Sequence, residues 1–195
     1  MVLLQIWVKN LLTKKEIRKE YLKKRKDLPV WTRQEHSDKI LELLSEDQIF
    51  KQADTILAYV STEYEVSTKK LIELCWSLRK NVAVPKVTGV HQMEFYKIES
   101  FDELCPGYKG ILEPESLCEI NPQEALMIIP GTVFDASGQR VGYGGGYYDT
   151  YMKEHPEYVR AAVAFSVQIA EKVPVEAHDM KMDYIFTEKG VYRRC

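Results

Sequence analysis

A chain of 195 residues with 45% hydrophobic and 29% charged residues has the composition of one globular domain with room for a sizeable core. Its 27 Lys and Arg are balanced by 29 Asp and Glu, and a formal net charge of −2 gives no general affinity for nucleic acid or an anionic membrane surface. The four cysteines form no CxxC pair and have no histidine at zinc-ligand spacing, so reduced thiols in a cytoplasmic protein are expected. Any bound metal should then be a hard ion such as Mg²⁺, held by oxygens.

The opening residues MVLLQIWVKN lack the basic start and small-residue cleavage site of a secretory signal, and are too short to cross a bilayer. Residues 1–12 are read as an N-terminal extension, either packed or frayed, or as the product of a start codon placed too early. Thr13 with Glu16 makes a T-x-x-E capping box, which predicts a helix through TKKEIRKEYLKKRKDL ending before Pro29. Its apolar residues leave a wide face of Lys and Arg. Thr32 with Glu35 repeats the box and predicts a second helix through HSDKILELLSEDQIF. At TILAYV (55–60) the pattern changes to a short β-branched and aromatic run, a buried strand. Ser67 or Thr68 opens a helix through KKLIELCWSLRK, and NVAVPKV follows as a strand. That βαβ order predicts a parallel sheet with a right-handed crossover. MEFYKI (93–98) is a further strand, whereas 101–125, with Pro106, Gly107, Gly110, Pro114 and Pro122, reads as loop with short turns. ALMIIPG (125–131) reads as a central strand stopped by Pro-Gly, YYDTYMKEH as a helix and VRAAVAFS (159–166) as a buried strand. The chain closes with a loop and two short strands around a turn at Lys189–Gly190. The fold class is α/β, one domain over 1–195.

The segment QRVGYGGGYYD (139–149) puts four glycines into five residues between a strand and a helix. Glycines let backbone N–H groups converge on a phosphate, and the helix that follows adds its positive end. Arg140 can add a forked contact to phosphate oxygens, and Asp149 can hold a metal or its bound waters. Walker A is excluded because no Lys-Ser or Lys-Thr follows, and the dinucleotide fingerprint would need glycine where Tyr147 stands. The plainer alternative is a tight turn that only permits close helix–sheet packing.

The ordered pattern IPGTVFDASGQRVGYGGGYYD (129–149) resembles the signature of the 5-formyltetrahydrofolate cyclo-ligase family, also called methenyltetrahydrofolate synthetases. Lys14 and Arg18 match the family's K-x-x-x-R helix, and STEYEVST (61–68) its loop carrying a pterin-binding acid. VPK (84–86), GILEP (110–114) and AFSVQI…VPVEAHDMKMD (164–183) stand in the same order. Two departures are visible. Some relatives place a lysine at the position of Gly145, and an aromatic before the GILEP-like segment, where this chain has Tyr108 and Lys109.

The resemblance implies a mostly parallel sheet flanked by helices on both faces, like that of sugar-phosphate isomerases and CoA transferases. It implies ATP and 5-formyltetrahydrofolate as substrates, Mg²⁺ as cofactor, and phosphorylation of the formyl oxygen as the central step. Lys14, Arg18 and Arg140 would hold the triphosphate with Gly142, Tyr143, Gly144, Gly145, Gly146 and Tyr147, and Arg140, Lys14 and Tyr147 would be catalytic. Asp149 and Asp183 are the metal candidates, with His178 in the same HDMKMD segment as Asp183. Tyr59, Glu65, Lys86, Tyr108 and Tyr148 are the folate candidates. Each has a plainer reading: Lys14 and Arg18 as a solvated face, Arg140 as a partner of Asp135, Glu65 as a surface acid, Tyr59 as core. The expected partners are small molecules only, with no nucleic acid and no membrane, for a monomer. Two rival functions stay open, a phosphosugar isomerase using a glutamate base and a nucleotide- or folate-binding module without turnover.

Overall fold

The computed structural model describes residues 12–115 and 118–194, so the expectations for residues 1–11 and Cys195 lie outside the described residues. Helix α1 (Lys14–Lys26) starts with the expected capping box, the Glu16 amide donating to the Thr13 hydroxyl and the Thr13 amide to the Glu16 carboxylate. The second box is not made. Helix α2 (Val30–Glu46) begins earlier, with Pro29 as its N-cap and the Pro29 carbonyl accepting the Arg33 amide. Proline has no N–H for a helix start to leave unsatisfied, so entry at 29–30 is favoured and Thr32 falls within the first turn. The helix also ends sooner than expected. Asp47 breaks it and caps the short α3 (Gln48–Gln52) by accepting the Ile49 amide at 3.1 Å.

Strand β1 (Thr55–Ala58), helix α4 (Lys69–Ser77) and strand β2 (Asn81–Gly89) form the predicted βαβ unit, with β1 and β2 parallel. Strand β3 (Gln92–Lys97) folds back antiparallel on β2. The expected loop at 101–125 contains a two-stranded ribbon, β4 (Leu104–Pro106) against β5 (Leu112–Pro114). Strand β6 (Leu126–Ile129) is followed by β7 (Val133–Asp135), β8 (Arg140–Val141), helix α5 (Tyr147–Glu154) and β9 (Val159–Val163). Strands β10 (Ile169–Ala170), β11 (Tyr184–Thr187) and β12 (Gly190–Arg193) complete the chain.

The main sheet has the order β12-β11-β9-β6-β1-β2-β3, with β6 at its centre and antiparallel pairs only at the two edges. A separate small sheet, β10-β7-β8, was not legible as strands. The central strands are buried on both faces, and their alternation divides the core in two. Ile56, Ala58, Leu126 and Ile128 pack with Ile40, Leu44, Phe50 and Ile72 from α2, α3 and α4. Leu57, Met127 and Ile129 pack with Phe95, Tyr151 and Met152 on the α5 side. Helix α1 uses Ile17 to dock on Val133 and Val141 of the small sheet. Parallel strands β1 and β6 therefore end on the same side, where open α/β sheets place their ligands. From there the chain runs on into Tyr59–Glu65 and into the glycine loop.

Candidate active site

A cavity of about 670 Å³ lies at those strand ends. It is lined by Lys14 and Arg18 of α1, by Tyr59 and Glu65, by Tyr108, and by Arg140 to Asp149. The sequence candidates that meet here come from four separated stretches of chain.

At one end the cavity wall is backbone. Gly144 and Gly146 adopt φ of +94° and +72°, conformations open to glycine at little cost. Among the described residues, none of the Gly142–Gly146 amides donates to a backbone carbonyl. Gly146 is the N-cap of α5 and offers no side chain, so no N-cap side chain satisfies the first amides of the helix. The loop is braced through its carbonyls: Arg18 Nε donates to Gly142 at 2.8 Å, and His91 Nδ1 lies 2.5 Å from that of Gly145. Arg140 is 5% exposed, with Nη1 donating to the Pro130 carbonyl at 3.0 Å and Nη2 to Asp149 Oδ2 at 2.8 Å. Its Nε is buried without a hydrogen-bond partner among the described residues. The Asp135 pairing does not occur, because that carboxylate is taken by the amides of Ser137, Gln139 and Val173.

Lys14 reaches Asp179 at 2.6 Å and Glu176 at 3.0 Å. Burial opposes its charge, but the hydrogen bonds to Asp179 and Glu176 prevail and raise its pKa above the ordinary lysine value. The ligand atoms of Glu176, His178 and Asp179 lie within 4.8 Å of one another, and the Lys14 ammonium sits between the two acids. This cluster already accommodates a cation. Asp149 also lines the cavity, but with one oxygen committed to Arg140.

At the other end the wall is side chains. Glu65 is 9% exposed, and its Oε2 accepts both the amide and the hydroxyl of Thr62 at 2.8 Å. Its Oε1 accepts the Tyr143 hydroxyl, which itself accepts from Arg25 Nη1 at 2.7 Å. Tyr59 is buried and donates to the Val66 carbonyl. Burial pushes the phenols of Tyr59 and Tyr148 well above the ordinary tyrosine value, and that of Tyr143, a residue 48% exposed, is raised by burial and by the Glu65 carboxylate. Tyr147 and Tyr108 meet edge to face with ring centres 5.9 Å apart, and the His91 ring lies 6.2 Å from that of Tyr147.

Two expectations are corrected. Lys86 does not line the cavity, whereas its neighbours Pro85 and Val87 do, as alternation along β2 requires. The Lys86 ammonium instead donates to the Pro114 carbonyl at 2.8 Å. Asp183 is also absent from the lining. It is held by Arg160 Nε at 2.9 Å and Nη2 at 3.0 Å and by Arg194 at 3.1 Å, so it braces β11 against β9 rather than facing Asp149. Sequence reasoning missed Arg25, His91, Glu113, Glu176 and Asp179. Arg25 was one cation among many on α1, and nothing local marked His91. Glu113, Glu176 and Asp179 lay inside the family-like GILEP and VPVEAHDMKMD segments without being singled out.

Residues 10–188 match the model of the 5-formyltetrahydrofolate cyclo-ligase family. A probable 5-formyltetrahydrofolate cyclo-ligase of Schizosaccharomyces pombe is 30% identical over 162 residues, covering 74% of this chain and 79% of that protein. The 5-formyltetrahydrofolate cyclo-ligase of Escherichia coli K12 is 30% identical over 147 residues, covering 72% and 81%. The 5,10-methenyltetrahydrofolate synthetase structure from Aquifex aeolicus superposes with a TM-score of 0.82 at 32% identity, covering 93% of each chain. Nearly the whole chain takes part in these likenesses, glycine loop included, and it belongs to the 5-formyltetrahydrofolate cyclo-ligase family.

Proposed function

We propose that this protein converts 5-formyltetrahydrofolate and ATP to 5,10-methenyltetrahydrofolate, ADP and phosphate. The observation that carries the reading is one cavity whose two ends differ in chemistry, free loop amides with buried Arg140 at one and a buried carboxylate at the other. Its volume of about 670 Å³ falls within the range usual for small-molecule sites.

The triphosphate lies on the amides of Gly142 to Gly146, with Arg140, Lys14 and Arg18 balancing its charge. Asp149 fixes the Arg140 guanidinium, and Arg18 Nε braces the loop while its remaining N–H groups face phosphate. The pterin lies against Glu65, with Tyr108, Tyr147 and Tyr148 as the aromatic wall. An N-formyl oxygen is a poor leaving group as hydroxide and a good one as phosphate. The formyl oxygen attacks the γ-phosphorus and ADP leaves. N10 adds to the activated carbon and loses its proton, and phosphate departs with the former formyl oxygen. Such chemistry requires positioning and charge neutralisation more than an acid–base pair. Mg²⁺ would enter on the ATP phosphates and supply further charge neutralisation. Asp149 is the cavity carboxylate that would hold it or its waters, since Glu176 and Asp179 are already paired with the Lys14 ammonium.

The test is to mix the full chain with 5-formyltetrahydrofolate and Mg-ATP and follow the near-ultraviolet absorbance of the methenyl product. ATP-dependent growth, absent in Arg140→Ala, is expected. A folded protein that binds both compounds without turnover would favour a binding module, and one that binds neither would favour the phosphosugar isomerase. The same reading takes the protein as a cytoplasmic monomer, which sedimentation and fractionation check. No described helix is long and apolar enough to cross a membrane.

A further inference from the structure

The two ends of the cavity are joined by one side chain. Tyr143 lies within the glycine loop, between Gly142 and Gly144, yet its hydroxyl bonds to Glu65, 78 residues away in sequence. The loop backbone is tied through the carbonyls of Gly142 and Gly145, and Gly144, at a φ of +94°, has a conformation that only glycine adopts readily. A phosphate held on the loop amides would act on the same stretch of backbone that carries Tyr143.

Glu65 has limited capacity to receive a ligand. Its Oε2 is filled by the two donors of Thr62, so Oε1 is the oxygen left for a pterin donor. That oxygen holds the Tyr143 hydroxyl. The hydroxyl is in turn polarised by Arg25, 5% exposed, whose Nη1 donates to it at 2.7 Å. A phenol that accepts from a guanidinium is a stronger donor to a carboxylate. Like Oε2, Oε1 has two acceptor positions, so the Tyr143 contact takes one of them and crowds the approach of an incoming pterin donor to the other.

We infer that Tyr143 is a positioning residue that latches Glu65 while the glycine loop is empty and releases it when nucleotide binds. Each ligand then strengthens the other, because both favour the unlatched loop. The inference rests on the assignment of Glu65 to the pterin made above.

The experiment measures 5-formyltetrahydrofolate binding to the full chain by calorimetry, with and without the non-hydrolysable analogue adenylyl imidodiphosphate. In the parent protein the analogue should tighten folate binding by roughly 3- to 10-fold, the scale of one net intramolecular hydrogen bond. In Tyr143→Phe, folate alone should bind about as tightly as it binds the parent with nucleotide, and the analogue should change it by less than about twofold. Steady-state kinetics should show the variant's folate KM falling at low ATP, which a loss of mere packing would not produce. Arg25→Met, which keeps the phenol but removes its polarising partner, should give an intermediate coupling. Weaker folate binding in Tyr143→Phe, or coupling equal to the parent's, overturns the latch. Glu65→Gln separates the two levels. If it abolishes folate binding while Tyr143→Phe keeps full coupling, the latch alone fails. If Glu65→Gln binds folate like the parent, the pterin assignment fails and the latch with it.

Discussion

The two ends of the cavity are built on different terms. The end proposed for nucleotide is built on one continuous stretch, 140–149, with three cations from α1, Lys14, Lys15 and Arg18. The end proposed for folate draws instead on side chains such as Glu65, Tyr108, Glu113 and Met93, contributed by separate loops and strands. A contiguous backbone site is fixed by which residues lack a Cβ. A convergent side-chain site is fixed by strand parity and by partners distant in sequence.

The largest separation of the two ends should come from Arg140→Ala. It removes the buried guanidinium and strands Asp149, so kcat/KM for ATP should fall at least about 100-fold while folate binding persists. Titration of each ligand alone measures the difference, and equal losses at both ends would dissolve the distinction. Gly144→Val comes next. At a φ of +94° a branched side chain is strained, and its Cβ would lie 3.4 Å from the Arg18 guanidinium, so nucleotide affinity should fall roughly tenfold with the folate site intact.

Legibility followed the same division. The glycine loop, Arg140 and the βαβ unit could be read because each is a local pattern, and the central position of β6 followed from its unbroken apolar run. Lys86 was misplaced because its neighbours Pro85 and Val87, not it, carry the inward parity of β2. Asp183 was misplaced because Arg160 and Arg194, distant partners, had already claimed it. Strands of two or three residues such as β8 and β10 hold too little pattern to be seen at all. Arg25 was hidden for a different reason: only its burial beside Tyr143 sets it apart from the other cations of α1.

Smaller effects lie away from the cavity. Asp183→Asn should lower stability by about 1–2 kcal/mol through weakened bonds to Arg160 and Arg194, with kcat/KM unchanged within about twofold. Denaturant unfolding alongside the absorbance assay reads both. The smallest signal is in pH. Burial holds Tyr59, Tyr148 and Tyr151 above the ordinary tyrosine value, so the native chain favours their neutral form. Their contribution to stability is complete below about pH 10 and is lost as pH rises beyond it, since the unfolded chain ionises first. Spectrophotometric titration should show Tyr59, Tyr148 and Tyr151 silent until the chain unfolds.

The most direct measurement follows an oxygen atom. 5-Formyltetrahydrofolate labelled with ¹⁸O in its formyl group is turned over with Mg-ATP, and the released phosphate is analysed by mass spectrometry. A cavity that brings the γ-phosphate of ATP to the formyl oxygen predicts one labelled oxygen in the phosphate for each methenyl group formed. Label recovered in water, with unlabelled phosphate, would mean that ATP does not activate the formyl oxygen and would contradict the account.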